Sequence, residues 1–320
     1  MRTITIPTTT LTVSVLCLGS ADFGGKLDRA TCFQLLEGFV AAGGNFLDTA
    51  SVYADWLPGE RSSSEKMLGA WLHARNCRDR MVVATKGAHP ALSTMHISRM
   101  ARSDIEHDLN ASLRNLQTDV IDLYWLHRDD LTRPVAEIVE SLNAQVQAGK
   151  IRHFAASNWQ TARLQAAQEY VASQGVQGFV ANQPLWNIGL PDLTAIADKT
   201  TVSMDATMHS FHRTTGLAAI PYSSQANGYF SKLAAGQSER IQPNTQRIYG
   251  SAANQQRLQR MQQLARTTGL SITQIVLGYL MAQPFVTVPI VGPQSLAQLQ
   301  DSLTAGAVQL TPEQVDFLEN

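Results

Sequence analysis

Three short apolar runs in this chain end abruptly in groups that can hold or move a proton. Ile121 to Leu126 runs into His127, followed by Arg128, Asp129 and Asp130. Asn45-Phe46-Leu47-Asp48 ends on an acid, with Tyr53 a few residues beyond, and Met81 to Thr85 runs into Lys86 and Gly87. Such runs suit strands buried on both faces, and the polar end suits the point where each strand leaves the core. If the strands are parallel neighbours, Asp48, Tyr53, Lys86 and His127 meet at one end of a sheet. A phenol, an ammonium, a carboxylate and an imidazole are the groups from which acid–base sites are assembled.

Something must carry those strands, and the rest of the chain reads as that scaffold. Ile4 to Ser14 alternates polar and apolar residues around Pro7 and predicts a two-stranded hairpin. Val15 to Gly19 reads as a first buried strand. Phe33, Leu36 and Val40 share one helical face that Gly43-Gly44 closes. Helical patterns then lie at Glu65 to Ala74, at Ile105 to Leu116, and from Pro134 through Val146. Strands at Ile151 to Ala155 and Gly178 to Asn182 flank a helix at Thr161 to Ser173. Beyond these come a helix near Met204 to Arg213, a strand at Leu217 to Tyr222, and a long polar loop at 223–251. Helices near Asn254 to Thr267 and Ser271 to Ala282, a last strand at Val286 to Val291, and two final helical stretches at Ser295 to Ser302 and Pro312 to Leu318 complete the pattern.

Eight strands alternating with helices predict an α/β fold: a (β/α)8 TIM barrel with an N-terminal β-hairpin cap and extra C-terminal helices, forming one domain over 1–320. An open dinucleotide-binding sheet would carry G-x-G-x-x-G after an early strand, and Gly19-Ser20-Ala21-Asp22-Phe23-Gly24-Gly25 does not match. In a barrel, function sits at the C-terminal ends of the strands, where the four groups named above lie.

The chain has 320 residues, 44% hydrophobic and 16% charged, with a formal net charge of −1. Nothing in that balance favours nucleic acid or an anionic membrane as a partner. Cys17, Cys32 and Cys77 are far apart and odd in number, which fits free thiols in a reducing compartment. No apolar run approaches the ~18 residues of a membrane-spanning helix. The six-residue run Val13 to Leu18 is too short for a signal peptide and reads as strand. The expectation is a cytoplasmic protein.

At this point the residues resemble the aldo-keto reductase family, almost chain-long, with the motifs in the family's order. Asp48-Thr49-Ala50-Ser51-Val52-Tyr53 is similar to its D-x-A-x-x-Y. Ser64 to Gly69 resembles the helix that follows, and Ala84-Thr85-Lys86-Gly87 and Leu126-His127 carry the lysine and histidine. Gly149-Lys150-Ile151-Arg152 to Ser157-Asn158 resembles G-K-I-R-x-x-x-x-S-N. Asn182-Gln183-Pro184 and Pro221-Tyr222-Ser223-Ser224 resemble cofactor-binding strand ends.

The resemblance implies hydride transfer between a nicotinamide cofactor, NADP(H) or NAD(H), and an aldehyde, ketone or sugar carbonyl. Tyr53 is then the proton donor, Lys86 the ammonium that lowers its pKa, Asp48 the partner holding Lys86, and His127 the group orienting the substrate oxygen. Ser157, Asn158 and Gln183 would grip the carboxamide while Tyr222 stacks on the nicotinamide. Gly19, at the end of the first strand, would belong to the same cofactor cradle. Ser223, Ser224, Gln225 and Gly228 would fold over the pyrophosphate, and Gly292, Gln294 and Gln298 would meet the adenosine end.

The sequence departs from the family at Gln294, where many members place an arginine on the 2′-phosphate of NADPH. Glutamine is neutral, which predicts relaxed NADP/NAD specificity or a preference for NAD(H). Ser302 replaces an asparagine, and Ala54 replaces a glycine. Trp56, Trp159 and Trp186 follow strand ends that carry site residues. With Arg128 to Asp130 they suggest a sugar pocket, or one for an aromatic aldehyde. His209 and His212 make an incomplete metal set and read as helix surface. Two other readings exist: a non-catalytic NAD(P)-binding regulator resembling the family's potassium-channel β-subunits, and a metal-dependent barrel hydrolase, which would need more His and carboxylate ligands.

Overall fold

The computed structural model describes residues 1–320. Strands β1 (Thr3–Thr5) and β2 (Thr12–Ser14) pair antiparallel, Thr3 opposite Ser14. Eight parallel strands follow: β3 (Cys17–Gly19), β4 (Phe46–Asp48), β5 (Val82–Gly87), β6 (Ile121–Leu126), β7 (Ile151–Ser157), β8 (Ala181–Gln183), β9 (Ala218–Ala219) and β10 (Ile290–Val291). They form one curled sheet in the order β10-β3-β4-β5-β6-β7-β8-β9. The two ends of that order meet through an isolated parallel bridge, Ala219 to Thr287, with Ala219 N–H on Val286 O and Val288 N–H on Ala219 O, each at 2.9 Å.

Helices alternate with these strands, as (β/α)8 order requires: α1 (Arg29–Ala41), α2 (Ser63–Arg75), α3 (Arg102–Leu116), α4 (Val135–Gln147), α5 (Thr161–Gln174) and α6 (Ala206–Thr215). The later part holds α7 (Tyr229–Ala234), α8 (Pro243–Tyr249), α9 (Ala252–Thr268), α10 (Ile272–Met281), α11 (Leu296–Leu303) and α12 (Pro312–Glu319). Local chemistry sets several ends. Asp28 accepts from Thr31 N–H to start α1, and Gly43, at φ 82°, stands just past its end. Reciprocal Ser271–Gln274 and Thr311–Gln314 bonds start α10 and α12.

Side chains alternate across the sheet with a period of two. Leu123 and Trp125 point to the interior beside Cys17, Phe46, Ala84 and Ala155, while Tyr124 and Leu126 face the helices beside Leu109 and Leu142. Ile6, Leu11 and Val13 belong to the interior cluster, so the hairpin caps the barrel from below, as expected.

Three expectations are corrected. The stretch 223–251 is not a simple loop: it folds into α7 and α8, because Tyr229, Phe230, Ile248 and Tyr249 are buried against Ile188, Met261 and Ile275. The strand expected at Leu217 to Tyr222 pairs as a strand only at Ala218–Ala219. His212 is also not on the helix surface. It is fully buried, with Nδ1 2.7 Å from Leu217 O and Nε2 3.2 Å from the Asn182 amide. No helix is long and apolar enough to cross a membrane.

Candidate active site

Register brings the four groups together. Asp48 pairs with Ala84, so Lys86, two residues further along β5, projects on the same interior face. His127 N–H donates to Gly87 O at 2.9 Å, which sets the histidine just past the end of β6. Lys86 and Asp48 form a direct ion pair in which each side chain is 1% exposed. Lys86 Nζ also donates to Thr49 O at 2.9 Å, and Gln183 Nε2 donates to Asp48 Oδ1 at 3.2 Å. The half-buried Tyr53 ring has Lys86 Nζ 4.7 Å from its centre and the His127 ring edge-on at 5.8 Å.

Burial governs the protonation states. It raises the Asp48 carboxyl, opposed by the Lys86 charge and by hydrogen bonds from Lys86 and Gln183. Burial draws Lys86 down, but Asp48 and Tyr53 together carry it above the ordinary lysine value, so the ammonium stays charged. Burial also raises Tyr53, and the Lys86 charge only partly offsets it; the expected lowering of the phenol is therefore reversed. His127 is pushed well below the usual histidine value by burial, then by the Arg128, His89 and Lys86 charges. Its Nδ1 is buried with no partner. An orphaned N–H is rarer in proteins than an orphaned acceptor. The proton of the neutral ring is therefore assigned to Nε2, leaving Nδ1 as the unpartnered acceptor.

The residues expected around the nicotinamide form one connected network. Tyr222 OH donates to Asn158 Oδ1 at 2.8 Å, Asn158 Nδ2 reaches Ser157 Oγ at 3.1 Å, and Ser157 Oγ donates to Gln183 O at 2.9 Å. Asn158 also donates to His127 O at 3.3 Å and accepts from Val202 N–H at 3.1 Å, which sets its amide beside the histidine.

The residues expected at the phosphates and adenosine gather around the seam between β9 and β10. Ser224 Oγ donates to Ile290 O at 2.5 Å, Gln225 Nε2 to Ser302 Oγ at 3.2 Å, and Gln298 Oε1 accepts from Gln294 N–H at 2.8 Å. Gln294 Nε2 donates to Asp22 Oδ2 at 2.9 Å, and Lys26 pairs with the other oxygen of Asp22 at 3.1 Å. Ala226, Asn227 and Gly228 are consecutive left-handed residues at φ 49°, 54° and 74°. Ala226 N–H donates to Ser223 O at 2.9 Å and Gly228 N–H to Gln225 O at 2.8 Å, so the turn is closed by its own backbone bonds. Gly292 has open space at its Cβ position, whereas Gly19 has a packing reason: a Cβ there would stand 2.6 Å from Ile290.

Sequence reasoning did not single out His89. It lies three residues after Lys86 in the chain, with its ring 4.7 Å from that of His127 and Nδ1 2.6 Å from Pro90 O. Of the tryptophans, Trp159 and Trp186 are buried packing residues, while Trp56 is 48% exposed with its ring 6.1 Å from Tyr53. Ala54 is left-handed at φ 69°, a conformation glycine adopts more readily.

Comparison with known proteins bears on this arrangement. The Aldo/keto reductase family model matches residues 15–320. The chain is 30% identical to the aldo-keto reductase ausK of Aspergillus calidoustus, over 98% of this chain and 80% of the relative. It is 27% identical to norsolorinic acid reductase B of Dothistroma septosporum, over 98% and 79%. It is 29% identical to the aryl-alcohol dehydrogenase [NADP(+)] of Phanerodontia chrysosporium, over 97% and 83%. The fold matches a solved thermostable aldo-keto reductase in complex with the inhibitor epalrestat at a TM-score of 0.73 and 19% identity, covering 100% of this chain and 99% of that one. The chain belongs to the aldo-keto reductase family and is an NAD(P)-dependent oxidoreductase.

Proposed function

We propose that the protein interconverts a small-molecule aldehyde, ketone or sugar carbonyl and its alcohol, with Tyr53 as the proton donor. The observation that carries this reading is the convergence of Tyr53, the buried Lys86–Asp48 pair and His127 at the C-terminal ends of β4, β5 and β6. A bound nicotinamide cofactor would supply the hydride that reaches the carbonyl carbon. Negative charge then grows on the carbonyl oxygen, and the Tyr53 phenol, protonated through neutral pH, delivers its proton there. The phenolate left behind faces the Lys86 ammonium, which Asp48 and Thr49 O hold in place. His127, neutral and carrying its proton on Nε2, orients the same oxygen by a hydrogen bond. Ser157, Asn158, Gln183 and Tyr222 would hold the nicotinamide end, and Ser223 to Gly228 with Gly292 to Gln298 the rest of the cofactor. In oxidation the same groups act in reverse. Trp56 beside Tyr53 and the names of the aryl-alcohol and norsolorinic acid relatives favour an aromatic carbonyl over a sugar.

The test is a fluorescence titration with NADPH and NADH, then turnover on a carbonyl and sugar panel. Tyr53→Phe should lower kcat by ~10²–10⁴ with cofactor affinity nearly unchanged. Undiminished turnover in that variant overturns the assignment. Cofactor binding without turnover of any carbonyl leaves a nucleotide-binding regulator instead.

A further inference from the structure

His89, in the turn after β5, has no part in the mechanism above, yet its ring lies against that of His127. The ring centres are 4.7 Å apart, with the planes at 63°. His127 in turn has the Tyr53 ring edge-on at 5.8 Å, so His89 lies one ring beyond the pair assigned to the reacting oxygen. Each imidazole is 7% exposed. The little surface that these two touching rings keep opens on one space.

The bonding of His89 fixes what it offers there. Nδ1 stands 2.6 Å from Pro90 O. A carbonyl oxygen only accepts, so Nδ1 carries the proton. Burial holds the ring below the ordinary histidine value, which keeps it neutral at neutral pH. Nε2 is left with a free lone pair. It has no bond within the protein and, unlike His127 Nδ1, it is not sealed from solvent. His127 Nε2 is also unpaired and open, but it is assigned as a donor. The two rings thus present a donor and an acceptor side by side.

The turn that carries His89 is firmly held. Ala88 is left-handed at φ 58°, a conformation that is costly for a residue with a side chain. Its N–H donates to Asp108 Oδ2 at 3.0 Å, and the other oxygen of Asp108 accepts from Arg99 Nη2 at 2.6 Å.

We propose that His89 is a specificity-determining residue whose Nε2 accepts from a phenolic hydroxyl on the ring that bears the reacting carbonyl, making hydroxyaryl carbonyl compounds the preferred substrate class. This rests on the reductase reading above and on its aromatic carbonyl. Touching rings serve only neighbouring oxygens, so the hydroxyl lies ortho or meta to the carbonyl.

The test compares hydroxybenzaldehydes with the matching methoxybenzaldehydes, ortho, meta and para, at saturating cofactor. A methoxy group keeps the oxygen and loses the donor. The wild type should favour the ortho or the meta hydroxyl member about tenfold in kcat/KM, with no such preference in the para pair. His89→Phe keeps a flat ring against His127 and removes the acceptor, so the preference should vanish, mainly through KM. His89→Gln, whose amide oxygen accepts, should keep more of it than His89→Phe. A preference unmoved in His89→Phe, an equal fall on both members of a pair, or a glutamine variant no better than phenylalanine overturns the proposal. Turnover of these aldehydes with no wild-type preference overturns it while leaving the reductase reading intact; cofactor binding with no carbonyl turnover at all overturns both.

Discussion

The Lys86 ammonium is held between the Asp48 carboxylate and the Thr49 carbonyl, and all of it is buried. Each charge therefore depends on the other. Lys86→Met leaves Asp48 buried without its counter-charge, which should cost about 3–5 kcal/mol of stability as well as activity. The double variant Lys86→Met with Asp48→Leu should recover most of that stability and none of the activity. Urea unfolding of the single and double variants checks this; a stable single variant contradicts it.

Stability should fall on acidification from neutral pH. His89, His127, His153 and His212 are all held below the ordinary histidine value, in each case first by burial. Unfolding returns them to about 6.5. Below that pH the unfolded chain binds protons that the folded chain does not, so the stability is full above about 6.5 and is lost towards each folded value. His212, folded at about 4, should alone remove about 2 kcal/mol between pH 7 and pH 5. Urea midpoints at the two pH values read this directly, and equal midpoints would refute it.

Gln294 is tied to Asp22 rather than left free. A neutral amide bonded to a carboxylate offers a 2′-phosphate no charge, so NADH and NADPH should bind comparably, or NADH better. Gln294→Arg should shift the ratio of dissociation constants towards NADPH by ~10–100-fold. Fluorescence titration of both cofactors measures it. A wild-type preference for NADPH of ~1000-fold contradicts the argument from a charge-assisted phosphate grip.

Gly87, at the end of β5, has no room for a side chain. A Cβ there would stand 1.9 Å from Tyr124 Oη and 3.0 Å from Asp108 Cβ. Gly87→Ala should destabilise by about 1–3 kcal/mol through overpacking and displace the adjoining Lys86, lowering turnover too. Thermal unfolding and turnover should fall together; an unaffected melting temperature counts against the packing account.

Asp48, Lys86 and His127 were legible because each ends an apolar run, and a strand's period fixes which face its last residue takes. The helices α1 to α6 were legible through their apolar spacing. What stayed hidden depended on contacts across the chain. His89 meets His127 only when β5 and β6 lie side by side. The burial of Trp159 and Trp186 comes from neighbours far off in sequence, Phe179 and Phe285. Segments α7 and α8 are short and polar outside, so their few buried aromatics gave no clear period. The Tyr53 phenol follows the same rule: the nearby ammonium was readable, but the stronger opposing effect of burial was not.

The join between the Ala218–Ala219 and Ile290–Val291 strands carries a further consequence. Few backbone bonds cross it, those of Ala219, Val288 and Ile290 among them, and the residues proposed to hold the cofactor lie on both sides of it. A nucleotide lying across both would act as a staple. In hydrogen–deuterium exchange these amides should open readily in the free protein and slow sharply once the cofactor is bound. That seam would then report cofactor occupancy.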